Sequence, residues 1–383
     1  MNVGTIGILG GGQLGRMLTL EAKRMGFRAI TLEPLPNSPC GQVADEQIVA
    51  AYDDLRAIGE LGARSDVVTY EFENIPLQAV LALERDRRIV RPSGHVLRTT
   101  QDRLLEKAFL RAHRIPTPDS APVAAAGEIE AAETKIGLPA ILKTTTGGYD
   151  GKGQWLARST EQLRVAVAEA RGGPLIYERF IPFDRELAII AARNVAGEIV
   201  TFPVTENVHD HGVLSMTIVP ARIPPERAER VREIATQIAK ALEIVGAFAV
   251  EFFDCGGEVM VNEIAPRVHN SGHYSIDATQ LSQYEAHIRA ICDLPLVAPH
   301  LLAPAAVMVN VLGSGSGDHL DGIAEVLREP DLKLHLYGKA HAALRRKMGH
   351  FTILAQSVDS AIEIAQRARA RLRWIDRREG IAV

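Results

Sequence analysis

The first hundred residues alternate between short apolar runs and longer segments with helical periodicity. Buried strands are predicted over residues 3–9, 29–32, 47–51 and 67–70, and amphipathic helices over the segments that end at residues 25, 63 and 83. Strands that alternate with helices favour a parallel sheet with right-handed crossovers. The N-terminal part of the chain is therefore predicted to be a parallel α/β unit.

A glycine-rich turn, residues 10–15 (GGGQLG), follows the first strand. It has the G-x-G-x-x-G spacing before a helix, with an acidic residue about twenty positions later, so a dinucleotide-binding oxidoreductase is one hypothesis. The strand that ends at Tyr70 is followed by Glu71, Glu73 and Asn74. Two carboxylates at this edge are unusual neighbours for a pyrophosphate and favour a cationic or amine-bearing small molecule with one phosphate. A solvated loop that starts the next helix is the alternative for this segment.

A lysine and a glycine loop stand out in the middle of the chain, at residues 139–155. An apolar strand leads to Lys143, and a loop with four glycines then returns into a second apolar run. Glycines let backbone N–H groups turn toward an anion, so this glycine flap is predicted to close over the phosphates of ATP. The loop lacks the Walker pattern and leads into a strand. A plain surface hairpin is the alternative.

Two glutamates interrupt apolar strands further along the chain. The strands, residues 247–253 and 258–264, read as an antiparallel hairpin and carry Glu251 and Glu263. An unpaired charge in an apolar run is costly, whereas two carboxylates on one face can share Mg²⁺ with nucleotide phosphates. A simple two- or four-residue turn would place the glutamates on opposite faces. We therefore predict a bulge or a three-residue turn that brings them to the same face.

A dense polar loop, residues 265–273, follows the second of these strands. It carries an arginine, two histidines, an amide and a hydroxyl. The planar guanidinium of Arg267 suits two-point binding of a carboxylate or bicarbonate, so the loop is predicted to bind a small oxyanion. Zinc bound by His269 and His273 is the rival interpretation, but no third ligand lies nearby at the usual spacing.

Three further segments are candidates for nucleotide or anion binding. Residues 178–181 follow a strand, so their backbone groups can pair with adenine, and Glu186 can accept hydrogen bonds from a ribose. His209 alone carries little weight, since a single loop histidine is more often structural. The basic cluster at residues 345–350 lies between strands and either reaches an anion held by the other domains or forms a solvated turn.

Four arginines of the last helix fall on two faces, which favours a solvated helix over nucleic-acid binding.

The bulk composition is that of a globular protein without a nucleic-acid or membrane partner. Of 383 residues, 46% are hydrophobic and 23% are charged, and a net charge of −4 gives no attraction to nucleic acid or to an anionic membrane. Three widely spaced cysteines indicate free thiols in a reducing compartment. The chain shows neither a bilayer-spanning apolar run nor a signal-peptide pattern. We expect a cytoplasmic protein of two or three domains.

Six motifs give the chain a resemblance to a known family. They are GGGQLGRM at residues 10–17, EFENIP at 71–76, GYDGKGQ at 148–154, NEIAPR at 262–267, HNSGH at 269–273, and YGK at 337–339 with RKMGH at 346–350. In order and content they resemble the ATP-grasp enzymes of purine biosynthesis, in particular the 5-(carboxyamino)imidazole ribonucleotide synthetases. The resemblance covers nearly the whole chain, and it is specific because the motifs occur together and in this order.

The resemblance implies a three-domain ATP-grasp architecture of α/β and α+β class. A Rossmann-like N-terminal domain without NAD would occupy residues 1–98, a two-lobed ATP-grasp domain residues 99–299, and a small C-terminal domain residues 300–383. The implied reaction uses ATP and Mg²⁺ to phosphorylate bicarbonate. The carboxyphosphate then breaks down, and the amine of aminoimidazole ribonucleotide captures the carbon dioxide. A homodimer is also implied.

The resemblance also implies roles for individual residues. The nucleotide side comprises Arg103, Lys143, the flap residues Gly148, Tyr149, Asp150, Gly151, Lys152, Gly153 and Gln154, the adenine segment Glu178, Arg179, Phe180 and Ile181, and Glu186, His209, Asn262 and Glu263. The metal ligands would be Glu251 and Glu263. The ribonucleotide and bicarbonate side comprises Gln13, Glu71, Glu73, Asn74, Tyr149, Asp150, Lys152, Arg267, His269, Asn270, Ser271, Lys339, Arg346 and Lys347. The catalytic residues would be Asp150, Arg267, His269 and Lys339. Asp150 would accept or relay the amine proton, and Arg267 and Lys339 would stabilise negative charge as it develops.

Two departures from the family's pattern accompany this interpretation. Val268 stands where the family often has proline, and Ala265 stands where many other ATP-grasp ligases have an asparagine metal ligand. The metal would therefore rest on two carboxylates plus phosphates. Three alternatives stay open: a sibling ligase that uses formate, an NAD-dependent dehydrogenase that explains only the first forty residues, and a nucleotide sensor without catalysis.

Overall fold

The computed structural model describes residues 4–123, 126–148, 151–170 and 173–376 of the chain. Two predicted site residues, Tyr149 and Asp150, lie outside these ranges. Within the ranges the strands form four sheets. No helix there combines the length and the apolar character that crossing a membrane requires.

A parallel sheet forms the N-terminal region. Its elements are β1 (Thr5–Leu9), α1 (Gln13–Arg24), β2 (Arg28–Leu32), β3 (Glu46–Ile48), α2 (Leu55–Ala63), β4 (Val67–Tyr70) and α3 (Leu77–Arg85). The strand order is β3-β2-β1-β4, and the pairs are parallel, so the predicted alternation of strand and helix is confirmed. Parallel pairing brings the carboxyl ends of the strands to one edge, where the glycine turn meets the acidic segment.

The segment that carries Arg103 forms two helices, α4 (Gly94–Gln101) and α5 (Arg103–Ala112). Asp102 separates them, because its backbone is extended and its carboxylate accepts hydrogen bonds from two N–H groups of the next turn. An aspartate in this geometry caps the start of a new helix. The break places Arg103 in the first turn of α5, within reach of the glycine flap.

The glycine flap belongs to a small antiparallel sheet. The elements of this lobe are β5 (Ser120–Val123), α6 (Ile129–Ile136), β6 (Ala140–Thr144), β7 (Gln154–Ala157), α7 (Thr160–Glu169) and β8 (Leu175–Arg179). The strand order is β5-β8-β6-β7, and Leu142 and Tyr177 are fully buried in its core with the two helices. Lys143 of β6 pairs with Gln154 of β7, so the flap joins two neighbouring strands.

The strands that carry the two glutamates lie in a much larger antiparallel sheet. The remaining elements are β9 (Arg185–Arg193), β10 (Ile199–Thr201), β11 (Thr205–Asp210), β12 (Val213–Val219), α8 (Pro225–Ala241), β13 (Gly246–Cys255), β14 (Glu258–Ala265), α9 (Ser275–Ala278), α10 (Gln283–Ile291), β15 (Ala305–Leu312), β16 (His319–Asp321), α11 (Ile323–Val326), β17 (Leu332–Leu336), β18 (Lys347–Ala355), α12 (Val358–Arg371) and β19 (Arg373–Ile375). The order in the large sheet is β14-β13-β9-β11-β12-β15-β18-β17, with β10 beside β9. β16 and β19 form a separate pair.

The C-terminal region continues this large sheet, since β15 pairs with β12. Phe351 and Ile353 of β18 pack in the cluster that includes the buried face of α12. A second apolar cluster includes Met17 of α1, Tyr284 of α10 and Tyr337, which follows β17. The three regions therefore share buried contacts, and the domain boundaries at residues 98 and 299 stay predictions.

Candidate active site

The glycine turn of the N-terminal sheet is bound to carboxylates of the chain itself. Glu71 accepts hydrogen bonds from the N–H groups of Gly12 and Gly15, the latter at 2.6 Å. Glu33 accepts a hydrogen bond from the N–H group of Gly11 at 2.9 Å. Amides of this kind, at the N-terminus of a helix, bind the pyrophosphate in dinucleotide sites. Here these three amides are not available to a pyrophosphate.

Glycine is required in this turn because Glu71 comes so close. A Cβ atom at Gly10, where φ is +117°, would lie 2.3 Å from Cγ of Glu71, and one at Gly12 would lie 2.7 Å from Oε1. Burial raises the pKa of Glu71, and the two N–H donors oppose this rise. The glycine pattern thus accommodates a buried carboxylate. The predicted contact between Glu71 and substrate stays a prediction.

Glu251 and Glu263 lie directly opposite each other on β13 and β14. The turn between these strands has two residues, and the register shifts by one residue next to Glu251. Without that shift, Glu251 would pair with Asn262, and Glu263 would point to the other face of the sheet. The predicted bulge is therefore confirmed, and it brings both carboxylates to one face.

These two carboxylates fit a divalent cation. Burial and the charge of Glu263 raise the pKa of Glu251, so keeping both groups ionised requires a compensating positive charge. Arg103 supplies part of it, with Nη1 3.1 Å from Oε2 of Glu263. Hard oxygen ligands of this kind are those that Mg²⁺ prefers. Among the described residues no group of three or more His, Cys, Asp and Glu is placed to bind a metal, so the zinc alternative finds no third ligand there.

Lys143 and a buried glutamate, Glu178, lie on neighbouring strands of the small sheet. Nζ of Lys143 forms an ion pair with Glu178 and lies 3.4 Å from Oδ1 of Asn262. Nζ of Lys107 lies 3.3 Å from the other oxygen of Glu178. Burial alone would raise the pKa of Glu178, but the two lysines lower it to about 2. Glu178 is therefore ionised between two cations, and its contact with adenine stays a prediction.

Lys107 was not predicted from the sequence. It is 1% exposed, and its Nζ donates hydrogen bonds to the carbonyl of Asn262 (2.7 Å) and the hydroxyl of Thr117 (2.9 Å). A signal was present, because Arg103, Lys107 and Leu110 recur at i, i+4 and i+7 and so share one helical face. A lysine on a buried face next to a predicted phosphate-binding arginine indicates an internal ion pair.

Glu186 of β9 and Nδ1 of His209 of β11 form a hydrogen bond of 2.6 Å. Burial alone would lower the pKa of His209, but the hydrogen bond and the charge of Glu186 outweigh burial and raise it. The structure thus brings together two residues that were predicted to bind the nucleotide. Their contacts with the ribose and the nucleotide stay predictions.

The other predicted nucleotide residues lie at the edge of the small lobe. The carbonyl of Gly153 accepts a hydrogen bond from the N–H of Thr144 at 2.8 Å, which closes the base of the flap. Arg179 forms an exposed ion pair with Asp119 at 3.1 Å. Gln154 begins β7, and Phe180 and Ile181 follow β8. Their roles stay predictions.

Arg267 and Glu73 form a two-point ion pair at the beginning of the anion loop, residues 267–273. Nη2 of Arg267 lies 2.8 Å from Oε1 of Glu73, and Nε contacts the second oxygen. Burial alone would raise the pKa of Glu73, but the guanidinium lowers it. The pair joins two predicted site residues from separate regions and orients the guanidinium.

His269 contacts its own loop with one ring nitrogen and faces Glu251 with the other. Nδ1 accepts a hydrogen bond from the N–H of Ser271 at 3.3 Å, which leaves the proton on Nε2. Nε2 lies 3.6 Å from Oε1 of Glu251. Burial and the charge of Arg267 lower the pKa of His269 well below its usual value, so the ring is neutral. His269 therefore presents an N–H donor to the site.

Asn270 and Ser271 support the anion loop from within. The side chain of Asn270 exchanges two amide hydrogen bonds with Asn310 of β15, at 3.0 and 2.8 Å. Ser271 has no exposed surface, and its hydroxyl lies 2.8 Å from Nδ1 of His269. Asn270 still borders the cleft, whereas the structure gives Ser271 no surface for its predicted substrate contact.

Most of the residues predicted to bind the ribonucleotide and bicarbonate, here called the anion side, line one cleft. A cavity of about 540 Å³ is lined by residues that include Gln13, Glu73, Asn74, Gly148, Glu263, Arg267, His269, Asn270 and Lys347. Two cavities of about 760 and 780 Å³ also reach Gln13, and their lining includes Glu71, Gly151, Lys152, Lys339, Arg346 and Lys347. Nζ of Lys339 donates a hydrogen bond to the carbonyl of Lys347 at 2.7 Å. Glu263, the anion loop and the basic C-terminal residues thus border adjoining spaces.

Three family models match successive parts of the chain. The model described as an ATP-grasp domain matches residues 108–284, and the ribonucleotide synthetase preATP-grasp domain matches residues 3–101. The phosphoribosylaminoimidazole carboxylase C-terminal domain matches residues 306–364. Together with the hairpin and the flap, these matches define the chain as an ATP-grasp enzyme.

Individual relatives narrow the assignment. The N5-carboxyaminoimidazole ribonucleotide synthase of Bacillus subtilis (strain 168) is 42% identical over 94% of this chain and 93% of its own. The crystal structure of the synthetase from Thermotoga maritima is 43% identical with a TM-score of 0.89, over 98% of this chain and 100% of that one. The Aspergillus clavatus enzyme, in complex with ADP and 5-aminoimidazole ribonucleotide, is 31% identical with a TM-score of 0.90, over 96% and 98%.

The chain belongs to the N5-carboxyaminoimidazole ribonucleotide synthase family, and it is an ATP-using ligase of purine biosynthesis. The family, fold class and enzyme class expected from the motifs are confirmed. The oxidoreductase hypothesis is wrong: the glycine turn that suggested it binds the carboxylates of Glu33 and Glu71.

Proposed function

We propose that the cleft carboxylates the amine of 5-aminoimidazole ribonucleotide with bicarbonate, using one ATP and Mg²⁺. The observation that carries the proposal is the pairing of Glu251 with Glu263 beside the anion loop, because it places a cation-binding pair next to Arg267 and the N–H donor of His269. The Aspergillus clavatus relative was crystallised with ADP and 5-aminoimidazole ribonucleotide, which supports the choice of an adenine nucleotide and of this ribonucleotide as substrates.

On the nucleotide side, the phosphates of ATP contact Arg103 and Lys143 under the glycine flap. The backbone of residues 178–181 pairs with adenine, and Glu186 and His209 bind the ribose. Glu251 and Glu263 hold Mg²⁺, which when bound neutralises charge on the phosphates during phosphoryl transfer.

The chemistry proceeds in three steps. A bicarbonate oxygen attacks the γ-phosphorus of ATP, the bond to the β–γ bridging oxygen breaks, and ADP leaves. Carboxyphosphate then breaks between carbon and the bridging oxygen, and its carboxyl proton passes to the departing phosphate, which gives carbon dioxide and inorganic phosphate. The amine of the ribonucleotide attacks carbon dioxide and loses one proton, which Asp150 accepts. Arg267 and Nε2–H of His269 stabilise the negative oxygens in the first two steps.

On the ribonucleotide side, the basic C-terminal residues bind the phosphate of 5-aminoimidazole ribonucleotide. Lys339 and Arg346 line the cavity of about 760 Å³ together with the glycine turn. Cationic side chains are usual ligands of phosphates. We further propose a homodimer that acts in the cytoplasm.

Phosphate release in the presence of ATP, bicarbonate and 5-aminoimidazole ribonucleotide, with each omitted in turn, tests the proposal. Release that requires all three supports it. Release with formate in place of bicarbonate would move the chain to the formate-using ligases. Nucleotide binding without phosphate release under any of these conditions would indicate a sensor.

A further inference from the structure

A buried glutamine lies behind the anion loop. Gln283 is the first residue of α10 and has no exposed surface. Its Oε1 accepts a hydrogen bond from the N–H of His269, and its Nε2 donates one to the carbonyl of His269, both at 2.8 Å. One side chain therefore pairs with both main-chain polar groups of His269.

The surrounding residues leave room for this amide and hold in place the backbone from which the side chain extends. A Cβ atom at position 272 would lie 2.5 Å from Oε1 of Gln283, so the contact requires Gly272. The hydroxyl of Ser275 accepts a hydrogen bond from the N–H of Gln283 at 2.9 Å, which fixes the first residue of α10. A primary amide donates and accepts at once, so the pairing with His269 depends on both halves of the side chain.

We propose that Gln283 is a positioning residue for the anion side of the reaction, acting through the main chain of His269. With that main chain fixed, Nδ1 of His269 meets Ser271 and Nε2 faces Glu251. A displacement of about 1 Å in a positioned group is enough to reduce a rate by about 100-fold. The inference rests on the role proposed above for the anion loop.

The side-chain hydrogen bonds of Gln283 reach two residues of the anion loop. Its side chain meets His269 and Nδ1 of His273, at 3.4 Å for the latter. The nucleotide side has its own support, since Lys143 and Lys107 both pair with Glu178. Removing the glutamine contact is therefore expected to change turnover and the dependence on bicarbonate while leaving the affinity for ADP unchanged.

Gln283→Glu keeps the shape and the acceptor of the side chain, and its ionised form has no donor for the carbonyl of His269. We expect kcat to fall about tenfold to 100-fold and KM for bicarbonate to rise, with the Kd for ADP within about twofold of the parent chain. Gln283→Leu removes both hydrogen bonds and is expected to lose at least as much. Steady-state kinetics and calorimetric titration with ADP measure these quantities.

Gln280 provides a matched control. It is exposed, donates a hydrogen bond to the carbonyl of Ala298 at 2.9 Å and accepts one from the N–H of His300 at 2.7 Å, so it makes the same kind of two-sided contact. Gln280 is not among the residues that line the three cleft cavities. Gln280→Glu is therefore expected to leave the kinetics unchanged.

Reduced turnover in both Gln283 variants, with normal ADP binding and a normal Gln280→Glu enzyme, supports the inference. Turnover within about twofold of the parent chain in either Gln283 variant overturns it. Loss of ADP binding in Gln283→Glu, whether through misfolding or directly, also overturns it, because the residue would then support the whole domain. His269→Asn distinguishes the two proposals. If this variant turns over normally, the proposed role of the anion loop is wrong. If it is impaired while the Gln283 variants are active, only the proposed role of Gln283 is wrong.

Discussion

Glu73 and Arg267 are 194 positions apart in the chain and form a two-point ion pair at the edge of the cleft. The remaining guanidinium nitrogen, Nη1, donates a hydrogen bond to the carbonyl of Val268 at 3.1 Å. The guanidinium is therefore held in a fixed orientation by a carboxylate of the N-terminal region. A small oxyanion at this site has to share the guanidinium with Glu73.

Glu73→Gln is expected to lower turnover. The amide carries no charge and offers one acceptor, so Arg267 loses the partner that orients it. We expect kcat/KM for the ribonucleotide to fall about tenfold to 100-fold, while ADP binding stays unchanged. Kinetics with each substrate varied in turn check this. A rise in kcat/KM would show that Glu73 competes with the anion for the guanidinium.

Glu263→Gln is expected to abolish magnesium-dependent ATP turnover while the fold survives. The amide preserves the shape of the side chain but removes one of the two charges that face each other across β13 and β14. A loss of at least about 100-fold in kcat is expected, with an unchanged circular dichroism spectrum. Glu258→Gln, at an exposed position of the same strand, is the control. Normal turnover of Glu263→Gln would contradict the metal role.

Local patterns in the sequence predicted the elements and one tertiary detail. Apolar runs and helical periodicity gave the parallel N-terminal sheet, because burial on one or two faces leaves a periodic signal. The bulge beside Glu251 was predicted because two carboxylates in apolar strands can share a cation only when they lie on the same face. Asp102 could have been recognised as the start of a helix, since aspartate is a preferred capping residue.

Long-range contacts of individual side chains could not be predicted in this way. Glu71 binds the N–H of Gly15, 56 positions away, and the glycine pattern by itself is equally consistent with a bound dinucleotide. Lys107 pairs with Glu178 through the packing of α5 against the small lobe. Such side-chain contacts depend on how separate elements pack against each other, and the periodicity within one element does not show this packing.

Lys107→Met tests whether the buried cations act together. The substitution leaves Glu178 with Lys143 alone, so Lys143 is drawn closer to the carboxylate and is less available to a phosphate. We expect KM for ATP to rise about tenfold while KM for the ribonucleotide changes little, with about 3 kcal/mol lost from the free energy of unfolding. Lys135→Met, at an exposed position, is the control. Unchanged KM for ATP would show that Lys107 serves folding alone.

Lys339→Ala is expected to spare ADP binding and to weaken the ribonucleotide. Nζ of Lys339 lies 5.6 Å from the ring centre of Tyr337 and borders the cavity shared with the glycine turn. Removing a charge-assisted contact to a phosphate is expected to raise KM for the ribonucleotide about tenfold or more. Lys333→Ala, exposed on β17, controls for the loss of positive charge. Equal effects of the two variants would contradict a direct contact.

His287 is expected to make the protein less stable in acid. It is 1% exposed, accepts a hydrogen bond from the N–H of Ala247 at 3.0 Å, and contacts the hydroxyl of Thr69 at 2.9 Å. Burial lowers the pKa of His287 from 6.5 to about 4. Between these values the unfolded chain binds a proton that the folded chain does not, so stability is complete above pH 6.5 and falls as the pH drops toward 4.

The expected contribution of His287 to this loss is about 2 kcal/mol at about pH 5 relative to about pH 7.5. Urea unfolding of the parent chain and of His287→Gln at the two pH values measures it. The variant can keep both hydrogen bonds without titrating, so its stability should depend less on pH over this range. His319→Gln, which removes an exposed imidazole, is the control. If His287→Gln and the parent chain lose the same free energy on acidification, a protonated imidazole is tolerated at this site, and the acid sensitivity has another origin.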